Sequence, residues 1–143
     1  MSEYSDKCVY PEEEDAYANA YFYFAQAINV GSRDPLKQCE AMGWYNVAWE
    51  LRDDASRGAE AVLKLAGRRL SNSQKTSINH FLLRLSALPD SVVMIDNTRA
   101  EHLRAMGSPF WASLRSDAMK LKDILASETT RVTLVLWPET PRA

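Results

Sequence analysis

The stretch from residue 71 to residue 88 constrains the fold most, because it contains a helix start, a helix stop and an unbroken apolar stripe between them. Its apolar residues recur every three or four positions, which places them on one side of a helix. They are Ile78, Phe81, Leu82, Leu85 and Leu88. Ser71 or Ser73 supplies a capping oxygen, and Pro89 prevents the helix from continuing. The apolar side must therefore face a core built by the rest of the chain.

The first helix is predicted to begin at Pro11, followed by an acidic run at 12–15 that favours the positive end of the helix dipole. Gly31 is expected to end it as a left-handed cap. The helix has a main apolar stripe and a second patch made of Ala18, Phe22 and Ala25. Either both sides are covered within one molecule, or the second patch meets another chain.

A second helix is predicted to start at Asp34, a capping residue, with Pro35 at its first position. It could extend to about Leu70, with a break or bend expected near Gly43 or Gly58. Small residues in its second half favour the close approach of another helix. Two further helix starts are predicted at Thr98 and Ser108.

Two short segments have the pattern of strands. Residues 92–95 are a β-branched run, and residues 131–137 alternate in the period-2 manner of a strand. We expect the two to pair, because strand backbone groups must bond somewhere. The predicted fold is mainly α, a bundle-like domain of four to five helices with one short two-stranded β element near the C-terminus. Residues 1–143 form a single domain, with 1–10 and 139–143 expected to be flexible.

The composition limits the range of functions. The chain has 143 residues, 46% of them apolar, which is enough for one sizeable core. A net charge of -2 argues against a surface that is basic throughout. The sequence lacks both an apolar run long enough to cross a bilayer and a basic, apolar start typical of a secretory signal. We expect a cytoplasmic protein without a membrane partner, whose two cysteines stay reduced.

The usual patterns of catalytic and metal sites are missing from the sequence. His80 and His102 are the two histidines, and both are interpreted as surface side chains. Neither has a Glu three residues before it, as carboxylate-bridged metal sites require. Zinc-ligand spacing, a GxSxG motif and a glycine-rich phosphate loop are also absent. The sequence therefore predicts a non-enzymatic protein without a metal or cofactor, although an active site assembled from scattered residues stays open.

A basic corner offers a DNA-binding alternative. Lys64, Arg68, Arg69 and Lys75 surround a short turn between two helices, within the layout of a helix-turn-helix unit over Gly67–Asn79. The turn lacks the usual glycine of such units, and an arginine occupies a position where a small residue would pack. A transcriptional regulator is the runner-up function.

The leading hypothesis is protein binding. Several apolar or aromatic residues exceed what the helical stripes require, and exposed apolar surface usually marks a partner site. The candidate partner-binding residues are Phe22, Leu83, Ala87 and Trp137, with Arg68 and Arg69 as a possible basic docking site. The sequence thus predicts an inhibitor, anti-activator or immunity-type regulatory protein that masks a protein partner, or one that forms a homodimer.

Overall fold

The computed structural model describes residues 11–44 and 46–138, and within them the chain forms seven α-helices and one short 3-10 turn. The helices are α1 (Pro11–Gly31), α2 (Pro35–Ala41), α3 (Val47–Leu65), α4 (Asn72–Ser86), α5 (Arg99–Met106), α6 (Pro109–Ile124) and α7 (Ala126–Leu136), with the 3-10 turn at Asp90–Val92. None of the helices described is both long and apolar enough to cross a bilayer. The flexibility expected for 1–10 and 139–143 concerns residues outside those described.

Four helices start where their capping residues predict them. Ser71 accepts a hydrogen bond from the backbone N–H of Gln74, whose side chain accepts one in return from the backbone of Ser71. Asp34 and Ser108 cap α2 and α6, each followed by a proline at the first helical position. Thr98 caps α5 by accepting a hydrogen bond from the backbone N–H of Glu101. Side-chain oxygens thus satisfy N–H groups that a helix leaves unpaired.

The glycines differ in backbone conformation and in whether they end a helix. The expected break occurs at Gly43, whose φ of +69° marks the end of α2, whereas α3 runs through Gly58 without interruption. Gly31 ends α1 but is not among the residues with positive φ, so the predicted left-handed cap there is wrong. In the connection between α3 and α4, Gly67 adopts the left-handed conformation with φ of +55°.

α1 is the central helix, packed against α2, α3, α6 and α7. This packing decides between the two alternatives for its second apolar patch. Ala18 is fully buried, and Phe22 and Ala25 are partly buried, all within the single chain. Both sides of α1 are therefore covered by the same molecule. The largest buried side chains of the core are Trp111, Tyr17, Tyr21, Phe24, Ile28, Leu51, Ile78, Leu85, Met106 and Leu125.

The predicted two-stranded β element is wrong. Residues 131–136 belong to α7, residues 90–92 form the 3-10 turn, and the part of the chain that the structure describes contains no strand. The helical period explains why. Leu125, Glu128 and Val132 are all buried, at a spacing of three and then four, with the half-buried Val135 three residues further on. Once Glu128 is counted as a buried residue, these positions fit the apolar stripe of a helix and not the alternation of a strand. The helix total is also higher than the four to five expected.

Candidate functional site

The close contact between α1 and α3 creates a groove on the outer side of the two helices. Gly58 makes this contact possible, because a Cβ atom at this position would lie 3.0 Å from the Cα and Cβ atoms of Phe24. The groove has a volume of about 510 Å³. Its lining is mostly small and apolar, and consists of Ala20, Tyr23, Gln26, Ala27, Val30, Ala41, Met42, Leu51, Asp54, Arg57, Gly58 and Ala61.

One carboxylate in the groove has no cationic partner among the described residues. Arg57 forms its ion pair with Asp53, with 3.2 Å between Nε and Oδ1, so Asp54 is left without a comparable contact. Asp54 is exposed, but desolvation by the surrounding groups and the neighbouring charge of Asp53 raise its pKa, and Arg57 opposes this shift. The groove therefore combines apolar walls with an uncompensated negative group.

A chain of three aromatic rings starts at the groove with Tyr23 and continues through Phe22 to Trp137, and we call these three residues the aromatic ridge. The rings of Phe22 and Trp137 meet edge to face with centroids 5.1 Å apart, and the Phe22 and Tyr23 centroids are 5.7 Å apart. Tyr23 is 69% exposed and also lines the groove, so it connects the two features. Trp137 is 47% exposed. Phe22 and Trp137, both predicted from the sequence, are thus in ring contact, whereas Tyr23 was not among the predicted residues.

Leu83 lies on α4 and Ala87 directly follows this helix, and neither lines the groove. Leu83 is 59% exposed, and Ala87 lines a separate depression of about 350 Å³ together with Phe110. Phe110 is 52% exposed. The predicted partner-binding residues therefore occupy at least two elements, and only the pair on the aromatic ridge is in direct ring contact.

The basic corner uses several of its side chains within the fold. Arg69 donates from Nε to Glu14 at 2.6 Å and lies over the ring of Tyr17. Gln74 is occupied by the cap of α4, while Arg68 is exposed. A DNA-binding role for this corner stays a prediction. Arg69 and Gln74 are less available for it, because both already bond within the fold.

The two histidines have different environments. His80 is exposed, as predicted, and lines a depression of about 130 Å³ that Asp117 also lines. Asp117 is already compensated by Arg84, whose Nε lies 2.8 Å from Oδ2, although the contact is not aligned as a hydrogen bond. His102 is only 1% exposed, and its Nε2 is 2.8 Å from Oδ1 of Asn97. The prediction of a surface role for His102 is therefore wrong.

A carboxylate is buried between α1 and α7. Glu128, which is 5% exposed, accepts hydrogen bonds from the hydroxyl of Tyr17 at 2.6 Å and from two guanidinium nitrogens of Arg131 at 2.8 Å each. Arg131 also donates to Glu14, which pairs with Arg69. Burial disfavours ionisation of Glu14, but the hydrogen bonds from Arg131 and Arg69 outweigh it and lower its pKa. These charges are mutually compensated, so the cluster is interpreted as structural.

The described residues contain no group of three His, Cys, Asp or Glu side chains able to hold a metal ion. No family model, curated protein or solved structure matches the chain.

Proposed function

We propose that this chain is a non-enzymatic, cytoplasmic regulatory protein that binds a protein partner through the groove between α1 and α3 and thereby masks a surface the partner needs. The observation that carries the proposal is the apolar groove flanked by the exposed ring of Tyr23. Concave apolar surfaces with a few polar groups are the usual form of binding sites.

The residue types of the aromatic ridge support a protein as the partner. Tyr and Trp are enriched in the energetic centres of protein interfaces, where one side chain can contribute about 2 kcal/mol or more. Tyr23 and Trp137 expose large rings, and each is in contact with the ring of Phe22. Rings that are already ordered lose little conformational entropy on binding.

The experiment compares three variants of the full-length chain. Ala61→Trp fills the groove, and Tyr23→Ala removes the most exposed ring. Leu83→Ala tests the other candidate surface, because Leu83 is 59% exposed, against 69% for Tyr23, and lies outside the groove. Each immobilised variant is incubated with a native extract, and the captured protein is then tested for loss of its own activity on addition of the free chain.

We expect the wild type and Leu83→Ala to capture and inhibit the same protein, and the two groove variants to lose it. Circular dichroism shows whether each variant remains helical. If the groove variants retain the partner while Leu83→Ala loses it, binding occurs on α4 and the groove proposal is wrong. If the wild type captures nothing that it inhibits, protein masking is wrong. Self-association that Ala61→Trp abolishes would instead identify a homodimer.

A further inference from the structure

We propose that the occupant of the groove is an amphipathic α-helix of the partner that carries one Lys or Arg on its apolar side, opposite Asp54. This inference rests on the proposed function and specifies the chemistry of the partner.

The dimensions of the groove fit a helix. Its lining extends from Ala20 to Val30 along α1 and from Leu51 to Ala61 along α3. Ten residues of helix correspond to about 15 Å, which is close to three turns. A docked helix typically uses anchors at positions i, i+3 or i+4, and i+7, which span about 10.5 Å. The groove is therefore long enough for one complete set of anchors.

The walls favour a helix over an extended peptide. An extended segment gains affinity by pairing its backbone with an exposed strand edge. The walls here are helices, whose interior N–H and C=O groups are already bonded within α1 and α3. A helical occupant satisfies its own backbone groups and needs only side-chain contacts. The small side chains at Ala20, Ala27 and Ala61 let its apolar residues approach closely.

The unpaired carboxylate of Asp54 favours a cation in the occupant. An entirely apolar helix would remove water from Asp54 and leave a buried, unpaired carboxylate, which is costly. Arg57 cannot compensate fully, because it is paired with Asp53. Glu50 lies one turn before Asp54 on the same side of α3, although it does not line the groove itself. A single basic side chain opposite Asp54 removes the cost and favours partners that carry it.

The test uses three synthetic helical peptides of about 14 residues, roughly 21 Å long. They share one leucine stripe and differ at a single central position, which is Lys, Gln or Glu. Fluorescence anisotropy measures their binding to the full-length wild type, to Asp54→Asn, to Ala61→Trp and to Asp123→Asn. Asp123 is the matched control, since it is an exposed carboxylate on α6 outside the groove.

We expect the Lys peptide to bind the wild type about tenfold more tightly than the Glu peptide. Asp54→Asn should reduce this preference to about twofold or less, and Asp123→Asn should leave it unchanged. Equal binding of all three peptides that Ala61→Trp abolishes would overturn the requirement for a basic residue while leaving the proposed function in place. Unchanged binding to Ala61→Trp would remove the groove itself as the site. Failure of all three to bind more tightly than about 1 mM would overturn a helix as the occupant.

Discussion

The hydroxyl groups of Tyr17 and Tyr21 lie at the polar ends of two rings that are otherwise buried. Tyr17 donates to Glu128, and Tyr21 bonds to the carbonyl of Leu125 at 3.2 Å and to the hydroxyl of Thr129 at 2.8 Å. Burial and the hydrogen bond to Glu128 raise the pKa of Tyr17 well above 10. Burial raises the pKa of Tyr21 to about 12, against the opposing effect of Thr129. Folding therefore requires both phenols to be neutral.

The first prediction concerns alkaline unfolding. A tyrosine whose pKa is raised on folding adds stability that is fully present below pH 10, its unfolded value, and is lost as the pH rises towards the folded value near 12. We expect the free energy of unfolding to fall by up to about 1.4 kcal/mol per pH unit for each of the two residues. Urea unfolding at several pH values measures it. The free energy of unfolding of Tyr21→Phe should fall less steeply with pH than that of the wild type. Equal slopes would show that Tyr21 does not contribute to the alkaline loss of stability.

At the scale of elements, the sequence predicts most of the helices, but it predicts a strand where α7 lies. Caps such as Ser71 and Asp34 act through local hydrogen bonds, so their effect is readable without tertiary structure. α7 depends on a buried Glu128 that pairs with Tyr17, 111 residues away along the chain. A glutamate is normally counted as an outward residue, so the helical stripe is hidden and the alternating pattern dominates.

The groove could be inferred only in part from the sequence, for a similar reason. Asp54, Gly58 and Ala61 are four and then three residues apart, which is one side of a helix, but the surrounding charges favour a hydrated surface. Tyr23 lies off the main stripe of α1 and gives the other signal. The two sides meet because α1 packs against α3, and no local sequence pattern specifies this packing.

The second prediction tests this packing through Gly58→Ala. Alanine favours the helical state by about 1 kcal/mol over glycine, but its methyl group would meet the backbone of Phe24 at 3.0 Å. Because backbone cannot move aside as a flexible side chain can, α1 and α3 must separate, at a cost of about 1 to 3 kcal/mol. We expect a net loss of stability in thermal unfolding, accompanied by weaker peptide binding in the groove. Ser56→Ala on the same helix is the control, and a stabilised Gly58→Ala would contradict close packing here.

At the scale of the whole molecule, one charged cluster connects distant parts of the chain. Arg131 of α7 bonds Glu14 near the start of α1 at 2.9 Å and Glu128 at 2.8 Å, and Arg69 joins the turn after α3 to the same Glu14. The hydrogen bond to Glu128 raises the pKa of Arg131, so this cation stays charged. The cluster fixes α7, and with it Trp137 of the aromatic ridge, against α1.

The last prediction compares Arg131→Ala with Arg57→Ala. Without Arg131, the buried carboxylate of Glu128 keeps only the hydrogen bond from Tyr17, and breaking a buried pair from one side costs about 3 kcal/mol. Arg57 is 79% exposed and pairs with a neighbouring carboxylate, so its removal should cost less than about 1 kcal/mol. Urea unfolding at pH 7 measures both free energies. Because α7 positions Trp137, Arg131→Ala should also change the indole fluorescence before the main unfolding transition. If Arg131→Ala loses no more stability than Arg57→Ala, water replaces the cluster at little cost in free energy.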